Sequence, residues 1–222
     1  MAVRVLLADD HTMFRQGMRK ILKAKAPGSI EVIGEAVNGL EACEQVSKLQ
    51  PDVVVMDVHM PKMDGVRATR TIMKEPNPPA VVLLTMSKQD DYLFEAIKAG
   101  AHGYYQKDSD VEDLISAIEK AANEEVILSP ELANRVLQEF RYISSTGNTK
   151  TGLASLQDRE IDILRHVAAG KTNLTIAHDM GLAEKTIKNQ LSIVFNKLNI
   201  SNRTQAAIYA LRNGLVTLEQ LP

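Results

Sequence analysis

The segment DVVVMD, residues 52–57, holds four consecutive apolar residues and ends on a carboxylate. Similar apolar runs lead to polar residues in VRVLLADD (3–10), AVVLLT (80–85) and GYYQK (103–107). Such runs, separated by amphipathic stretches, are typical of parallel strands buried on both faces. Because parallel strands end at one edge of a sheet, we expect the polar residues at their ends to converge. These residues are Asp9, Asp10, Asp57, Thr85 and Lys107.

The chemistry of these side chains favours a metal-assisted reaction at phosphorus. Three neighbouring carboxylates repel one another unless a cation joins them, and an acidic, oxygen-only pocket suits Mg²⁺. The lysine on the other side of the pocket suits an anion, above all a phosphoryl group. The pattern therefore predicts a Mg²⁺-dependent phosphoryl site.

Composition narrows the class of protein. With 222 residues the chain has room for one large or two small domains, and its 45% hydrophobic and 24% charged residues are ordinary for a globular protein. The single cysteine, Cys43, excludes an internal disulfide and a cysteine-based metal site. No run of about 18 apolar residues occurs, and Met1 leads directly into a strand pattern. We expect a cytoplasmic protein that does not engage a membrane.

Residues 1–122 contain five successive strand–helix repeats. The predicted strands are Val3–Ala8, Glu31–Ala36, Val53–Met56, Ala80–Leu84 and Gly103–Tyr105. The predicted helices are 12–25, 39–49, 65–74, 89–99 and 110–122. Glycines and prolines fall between these elements, as turns require.

The second part of the chain has a different character. A linker is predicted over 123–152, with a helix near 130–142 followed by the polar stretch SSTGNTKTG (144–152). From residue 153 to 222 the pattern is all-helical, with helices at Asp158–Ala168, Thr172–Asp179, Glu184–Leu198 and Arg203–Arg212. Residues 1–150 carry a net charge of −4 and residues 151–222 a net charge of +2, which hints at nucleic-acid contact by the second part.

Residues 1–122 resemble the receiver domain of response regulators. The resemblance rests on LLADDH (6–11), DVVVMDVHMPKMDG (52–65), VVLLT (81–85) and AGAHGYYQKD (99–108). It implies a flavodoxin-like, doubly wound α/β fold with five parallel strands in the order 2-1-3-4-5. It also implies that Asp57 accepts a phosphoryl group from a partner sensor histidine kinase.

The resemblance further implies a role for each site residue. Asp10 and Asp57 would bind Mg²⁺ directly, Asp9 largely through water, and His59 through its backbone carbonyl. Lys107 and Thr85 would contact the phosphoryl oxygens, and Tyr104 would turn inward as a switch. The side chain of His59 is a candidate for tuning hydrolysis. The remaining histidines (11, 102, 166 and 178) show no metal-binding spacing.

An aspartyl-phosphate hydrolase is the enzyme alternative, because such enzymes also combine Asp, Thr and Lys. Those that resemble the haloacid-dehalogenase group place the nucleophile after the first strand and an Asp pair late in the chain. Here the pair comes first and the single Asp follows the third strand, an order that opposes the hydrolase. We expect a phosphoacceptor and not a turnover enzyme.

Residues 153–216 resemble the DNA-binding domain of the LuxR/NarL family, a four-helix unit with a helix-turn-helix. The matching text is LASLQDREIDILRHVAAGKTNLTIA (153–177) and KTIKNQLSIVFNKLNISNRTQAA (185–207). The helix over 184–198 would read the major groove, with Lys188 and Asn189 at base edges. The predicted DNA contacts are Thr172, Lys185, Thr186, Lys188, Asn189, Ser192, Lys197 and Arg203. Ala183 stands where a capping Ser is usual in the family, which removes a cap worth about 1 kcal/mol.

The expected protein is a two-component regulator whose phosphorylation controls binding to a double-stranded DNA operator. Phosphorylation-dependent homodimers would help affinity, with Arg203–Arg212 as a pairing face, and RNA polymerase is a further candidate partner. Two alternatives stay open. One is a phosphotransfer or protein-binding module with a helical tail, and the other is a constitutive DNA binder with a vestigial receiver.

Overall fold

The computed structural model describes residues 1–86, 92–123, 125, 127 and 155–220. The chain divides into two compact units between residues 124 and 125. Each unit is described by itself. The predicted linker helix near 130–142 and the polar stretch at 144–152 lie outside the described residues.

The first unit is built around a five-stranded parallel sheet, as predicted. The strands are β1 (Val3–Ala8), β2 (Ile30–Ala36), β3 (Val53–Asp57), β4 (Ala80–Thr85) and β5 (Gly103–Gln106). Their order in the sheet is β2-β1-β3-β4-β5, and every pairing is parallel. This order confirms the doubly wound topology expected from the resemblance.

Five helices accompany the strands of the first unit. They are α1 (Thr12–Lys25), α2 (Gly39–Leu49), α3 (Gly65–Ile72), α4 (Tyr92–Ala99) and α5 (Val111–Ala122). Helix α3 is two residues shorter than predicted, since Met73 already caps it. Residues 89–91 of the predicted fourth helix lie outside the described residues. Side chains cap the N-termini of α2 and α3. The Asn38 side chain accepts a hydrogen bond from the Glu41 amide at 3.0 Å, and the Asp64 carboxylate accepts one from the Arg67 amide at 2.7 Å.

The central strands explain why the polar residues meet. Every residue of β3 and β4 is buried, because helices cover both faces of the sheet. The register pairs Ala8 with Met56, Asp57 with Leu84, and Thr85 with Gln106. These pairings bring the carboxyl ends of β1, β3, β4 and β5 to a common edge.

The second unit is helical in its described part. Its helices are α6 (Asp158–Ala168), α7 (Asn173–Met180), α8 (Glu184–Leu198) and α9 (Arg203–Arg212), followed by a short 3-10 turn at Leu218–Gln220. Thr172, predicted inside a helix, is instead the N-cap of α7, and its hydroxyl accepts from the Thr175 amide at 3.3 Å. Gly181 ends α7 with a φ of 64°, a left-handed conformation that glycine adopts without strain.

A hydrophobic core holds these helices together. Ile163, Leu164, Ile176, Ile187 and Val194 are fully buried and come from three helices. In the described part of the chain, no helix is both long and apolar enough to cross a membrane.

His102 makes the stability of the first unit depend on pH. Its Nδ1 accepts a hydrogen bond from the Val81 amide at 3.2 Å, and burial lowers the pKa of its imidazole to about 4. In the unfolded chain, His102 takes up a proton as the pH falls below about 6.5, whereas in the folded chain it stays neutral until about pH 4. The free energy of unfolding therefore decreases as the pH falls from about 6.5 towards 4.

We expect His102→Asn to remove this dependence, because an amide oxygen can accept the Val81 bond without titrating. Between pH 7 and pH 5, the wild-type free energy of unfolding should fall by about 2 kcal/mol more than that of the variant. Urea denaturation at both pH values measures the difference. Equal losses in the two proteins would contradict the role assigned to His102.

Candidate functional site

The edge of the sheet carries a buried cluster of opposite charges. The Lys107 ammonium lies 2.6 Å from Asp9 Oδ2 and 2.7 Å from Asp57 Oδ2. All three side chains are at most 5% exposed. Asp10 lies at the rim with its side chain 33% exposed. The structure thus brings together the carboxylates of β1 and β3 and the ammonium that follows β5.

Asp57 is held from two sides. The His59 amide donates to its Oδ1 at 3.3 Å, and the Lys107 ammonium donates to its Oδ2. Burial raises the pKa of the Asp57 carboxyl above its ordinary value, and the bond to Lys107 opposes that increase only in part. Because one ammonium faces three carboxylates, the cluster keeps a net negative charge that attracts a cation.

The donor set of this cluster fits a hard divalent cation. Within the described residues, ligand atoms of Asp9, Asp10, His11 and Asp57 all lie within 4.8 Å of one another. Asp9 Oδ2 is buried and, apart from its ion pair with Lys107, accepts no hydrogen bond of good geometry from the described residues. Carboxylate oxygens so placed are the ligands that Mg²⁺ prefers.

His11 lies beside the acidic cluster, although the sequence analysis found no metal-binding spacing for this histidine. Its Nδ1 lies 2.9 Å from Asp10 Oδ1 and 3.3 Å from Asp9 Oδ1, and its amide donates to Asp9 Oδ1 at 2.8 Å. The spacing of histidines along the chain could not reveal this, since the relevant partners are the two preceding acids.

Thr85 and Tyr104 are buried residues on the neighbouring strands β4 and β5. Thr85 is fully buried at the end of β4, and its carbonyl accepts from the Lys107 amide at 2.8 Å. Tyr104 is 8% exposed, while Tyr105 is half-buried and points to the other face of the sheet by strand alternation. The His59 ring packs edge-on against Tyr92 with the ring centres 4.9 Å apart.

Two residues that the sequence analysis did not single out support the site. Arg15 is 8% exposed on α1 and donates to the Asp9 carbonyl at 2.6 Å. Gly65 approaches the phosphoacceptor candidate so closely that a Cβ atom there would lie 2.2 Å from the Asp57 carbonyl oxygen. The DG pair at 64–65 could have indicated this contact, whereas nothing in the sequence marks Arg15.

A second candidate site is the exposed face of α8. Ile187, Leu191 and Val194 are buried, which turns the polar residues of the helix outward. The exposed polar residues of the helix are Glu184, Lys185, Lys188, Asn189, Ser192, Asn196 and Lys197. Thr186 is half-buried on the same helix.

Two of the predicted DNA contacts, Lys197 and Arg203, form hydrogen bonds with other residues of the second unit. The Lys197 ammonium lies 2.8 Å from both Glu160 oxygens, and this contact holds the pKa of the Glu160 carboxyl below its ordinary value. Arg203 is 6% exposed and donates to Asn173 Oδ1 at 2.6 Å and to the Lys171 carbonyl. The geometry favours a structural role for both over a phosphate contact.

Both units of the chain match known protein families. Residues 5–119 match the response regulator receiver domain, and residues 154–210 match the luxR family of bacterial regulatory proteins. The chain is 40% identical over 214 residues to the transcriptional regulatory protein LiaR of Bacillus subtilis, covering 96% of this chain and 99% of LiaR.

Two solved structures extend the similarity. The response regulator ChrA of a heme-sensing two-component system is 32% identical with a TM-score of 0.52, covering 97% of this chain and 99% of ChrA. A LuxR-family two-component response regulator from Aurantimonas sp. SI85-9A1 is 31% identical with a TM-score of 0.57, covering 64% of this chain and 99% of that protein.

We expect Gly65→Ala to destabilise the first unit, because the added methyl group would displace the backbone that carries Asp57. Overpacking of this kind costs roughly 1–3 kcal/mol, which thermal melting would detect. Gly17→Ala is the matched control. Among the described residues, no atom outside the backbone of α1 itself lies within 4 Å of a Cβ at Gly17, and alanine should stabilise this helix by roughly 0.5–1 kcal/mol. Similar melting temperatures for both variants would contradict the close contact at Gly65.

Proposed function

The chain belongs to the response regulators with a LuxR-type DNA-binding domain, and we propose that Asp57 is the residue through which phosphorylation controls its binding to DNA. A receiver domain and a DNA-binding domain in one chain make it a transcriptional regulator. We take the receiver as residues 1–122, the linker as 123–152 and the DNA-binding domain as 153–222. The observation that carries the proposal is the contact of Lys107 with both Asp57 and Asp9 in a buried site.

The proposed reaction is a phosphoryl transfer to Asp57. Its carboxylate oxygen attacks phosphorus in the phosphohistidine of a sensor kinase, the P–N bond breaks, and the aspartyl P–O bond forms. Lys107 lies where it can offset the negative charge of the phosphoryl oxygens. The protein takes part once in each transfer, as an acceptor and not as a turnover enzyme.

Asp9, Asp10, Asp57 and the backbone carbonyl of His59 would hold Mg²⁺ at this site. The ion, when bound, neutralises charge as the donor phosphoryl group meets the carboxylates. The three carboxylates that lie together in this cluster support this choice of metal.

Thr85 and Tyr104 would convert phosphorylation into a change of shape. The Thr85 hydroxyl would donate to a phosphoryl oxygen and draw the end of β4 inward, and the Tyr104 ring would follow. Both residues are buried on the neighbouring strands β4 and β5, which supports this role because packed side chains can occupy only a few arrangements.

The DNA-binding surface would be the exposed face of α8. Lys188 and Asn189 would meet base edges, while Lys185, Thr186, Ser192 and Thr172 would contact the phosphate backbone. The internal bonds of Lys197 and Arg203 lead us to assign them to holding the fold that presents this face.

The proposed partners follow from the two sites. They are a sensor histidine kinase, a double-stranded DNA operator and, once phosphorylated, a second copy of this chain on the adjacent half-site, with RNA polymerase as a further partner. These partners place the protein in the cytoplasm.

We expect Asp57→Asn to abolish Mg²⁺-dependent labelling by acetyl phosphate, because an amide oxygen is not a competent nucleophile. Intact-mass measurement of the phosphorylated fraction tests this. Asp113→Asn, at an exposed carboxylate on α5, should be labelled like the wild type. Undiminished labelling of Asp57→Asn would refute the assignment.

We expect Lys188→Ala to weaken binding to a genomic fragment selected by the phosphorylated protein, by roughly 1–3 kcal/mol, with a smaller effect on random DNA. Fluorescence anisotropy with both DNAs measures this, and the melting temperature should not change. Lys197→Ala is the contrasting variant and should lower the melting temperature, because the buried Glu160 carboxylate keeps its bond from the Gln157 amide but loses its counter-ion. Unchanged affinity of Lys188→Ala for the fragment would count against the reading role of α8.

A further inference from the structure

We propose that Arg15 is a positioning residue of the phosphoryl site: it fixes the peptide of Asp9 so that the Asp9 carboxylate stays aimed at the cation. The inference rests on the proposed function, because it concerns the same cluster. Within the described part of the chain, the guanidinium of Arg15 bonds to the carbonyl of Asp9 and to neither of its carboxylate oxygens, so Arg15 would act through the backbone.

Both backbone polar groups of Asp9 are hydrogen-bonded. Its amide donates to the Ala36 carbonyl of β2 at 3.0 Å, and its carbonyl accepts from Arg15 Nη1 at 2.6 Å. Asp9 directly follows β1, where the chain leaves the sheet to enter α1. Without Arg15, a buried carbonyl would lose this partner at the point where the ligand-bearing turn begins.

Arg15 is itself anchored by a charged partner. Its Nε donates to Glu35 Oε2 at 2.7 Å, and Arg19 Nη1 donates to the other Glu35 oxygen at 2.9 Å. The hydrogen bonds from Arg15 and, to a smaller extent, from Arg19 lower the pKa of the Glu35 carboxyl below its ordinary value. Glu35 therefore stays ionised and holds the guanidinium in one orientation.

The geometry requires a guanidinium. One side chain must donate to a carboxylate on β2 and to a carbonyl after β1 at the same time, which the rigid fork of arginine can do. The Arg15 side chain is 9% exposed, so its two bonds are shielded from water. This arrangement leaves the Asp9 carboxylate oxygens to His11, Lys107 and the cation.

The chain offers a matched control at the opposite end of the sheet. Arg4 donates through its guanidinium to the carbonyls of Leu49 and Gln50, both at 2.7 Å. Arg4→Met thus removes two arginine-to-carbonyl bonds from the same unit without touching the phosphoryl site. It separates a general loss of stability from a specific effect on the cation.

The experiment measures Mg²⁺ affinity of the full chain by isothermal titration calorimetry, well below the melting temperature of each variant. We expect Arg15→Met to raise the Mg²⁺ Kd on the order of tenfold, as is typical when a residue that orients a ligand is lost. Arg15→Lys, which can keep only one of the two bonds, should give a smaller increase. Arg4→Met should keep the wild-type Kd even if its melting temperature falls.

The rate of labelling by acetyl phosphate supplies a second readout. If Arg15 acts by placing Asp9, saturating Mg²⁺ should restore much of the Arg15→Met rate. If Arg15→Met does not fold, Glu35→Gln decides the matter, because it weakens the anchor and should also raise the Kd.

An unchanged Kd in the folded Arg15→Met protein, or in Glu35→Gln where it replaces that variant, would overturn the inference alone. A wild-type chain that binds no Mg²⁺ would overturn the proposed function and this inference together.

Discussion

The buried ammonium of Lys107 between the carboxylates of Asp9 and Asp57 is the interaction on which the receiver depends. Two buried carboxylates at the ends of neighbouring strands would repel each other and be costly to keep ionised. The ammonium that follows β5 offsets this cost and joins three strand ends across the sheet. The same contact lowers the pKa of the Asp57 carboxyl against the larger raising effect of burial, and so favours the ionised form that the proposed phosphoryl transfer needs.

Much of the fold and the core of the site could be predicted from the sequence, because their signals are local. Apolar runs as uniform as VVVM at 53–56 indicate strands buried on both faces, and the parallel topology then brings their ends together. Arg15 could not be found in this way. An isolated arginine in an amphipathic helix usually points to solvent, and its burial depends on Glu35, twenty residues further along the chain.

In the DNA-binding unit too, local sequence patterns predict some features, while others depend on contacts between residues far apart in the sequence. The exposed face of α8 follows from helical periodicity, and the structure places Lys185, Lys188 and Asn189 on it. Lys197 and Arg203 look like further basic contacts when the sequence alone is considered. Their partners, Glu160 and Asn173, lie 37 and 30 residues away, so only the tertiary structure shows that these charges stabilise the fold.

The backbone bond from the Lys107 amide to the Thr85 carbonyl ties two of the proposed phosphoryl contacts to each other. Thr85 ends β4 and Lys107 directly follows β5, and this bond couples movements of the two backbone segments that carry the hydroxyl and the ammonium. The Thr85 hydroxyl and the Lys107 ammonium would then contact an incoming anion cooperatively, because one movement of the backbone would bring both groups into place. We would expect an edge coupled in this way to have two arrangements, with intermediate ones sparsely populated.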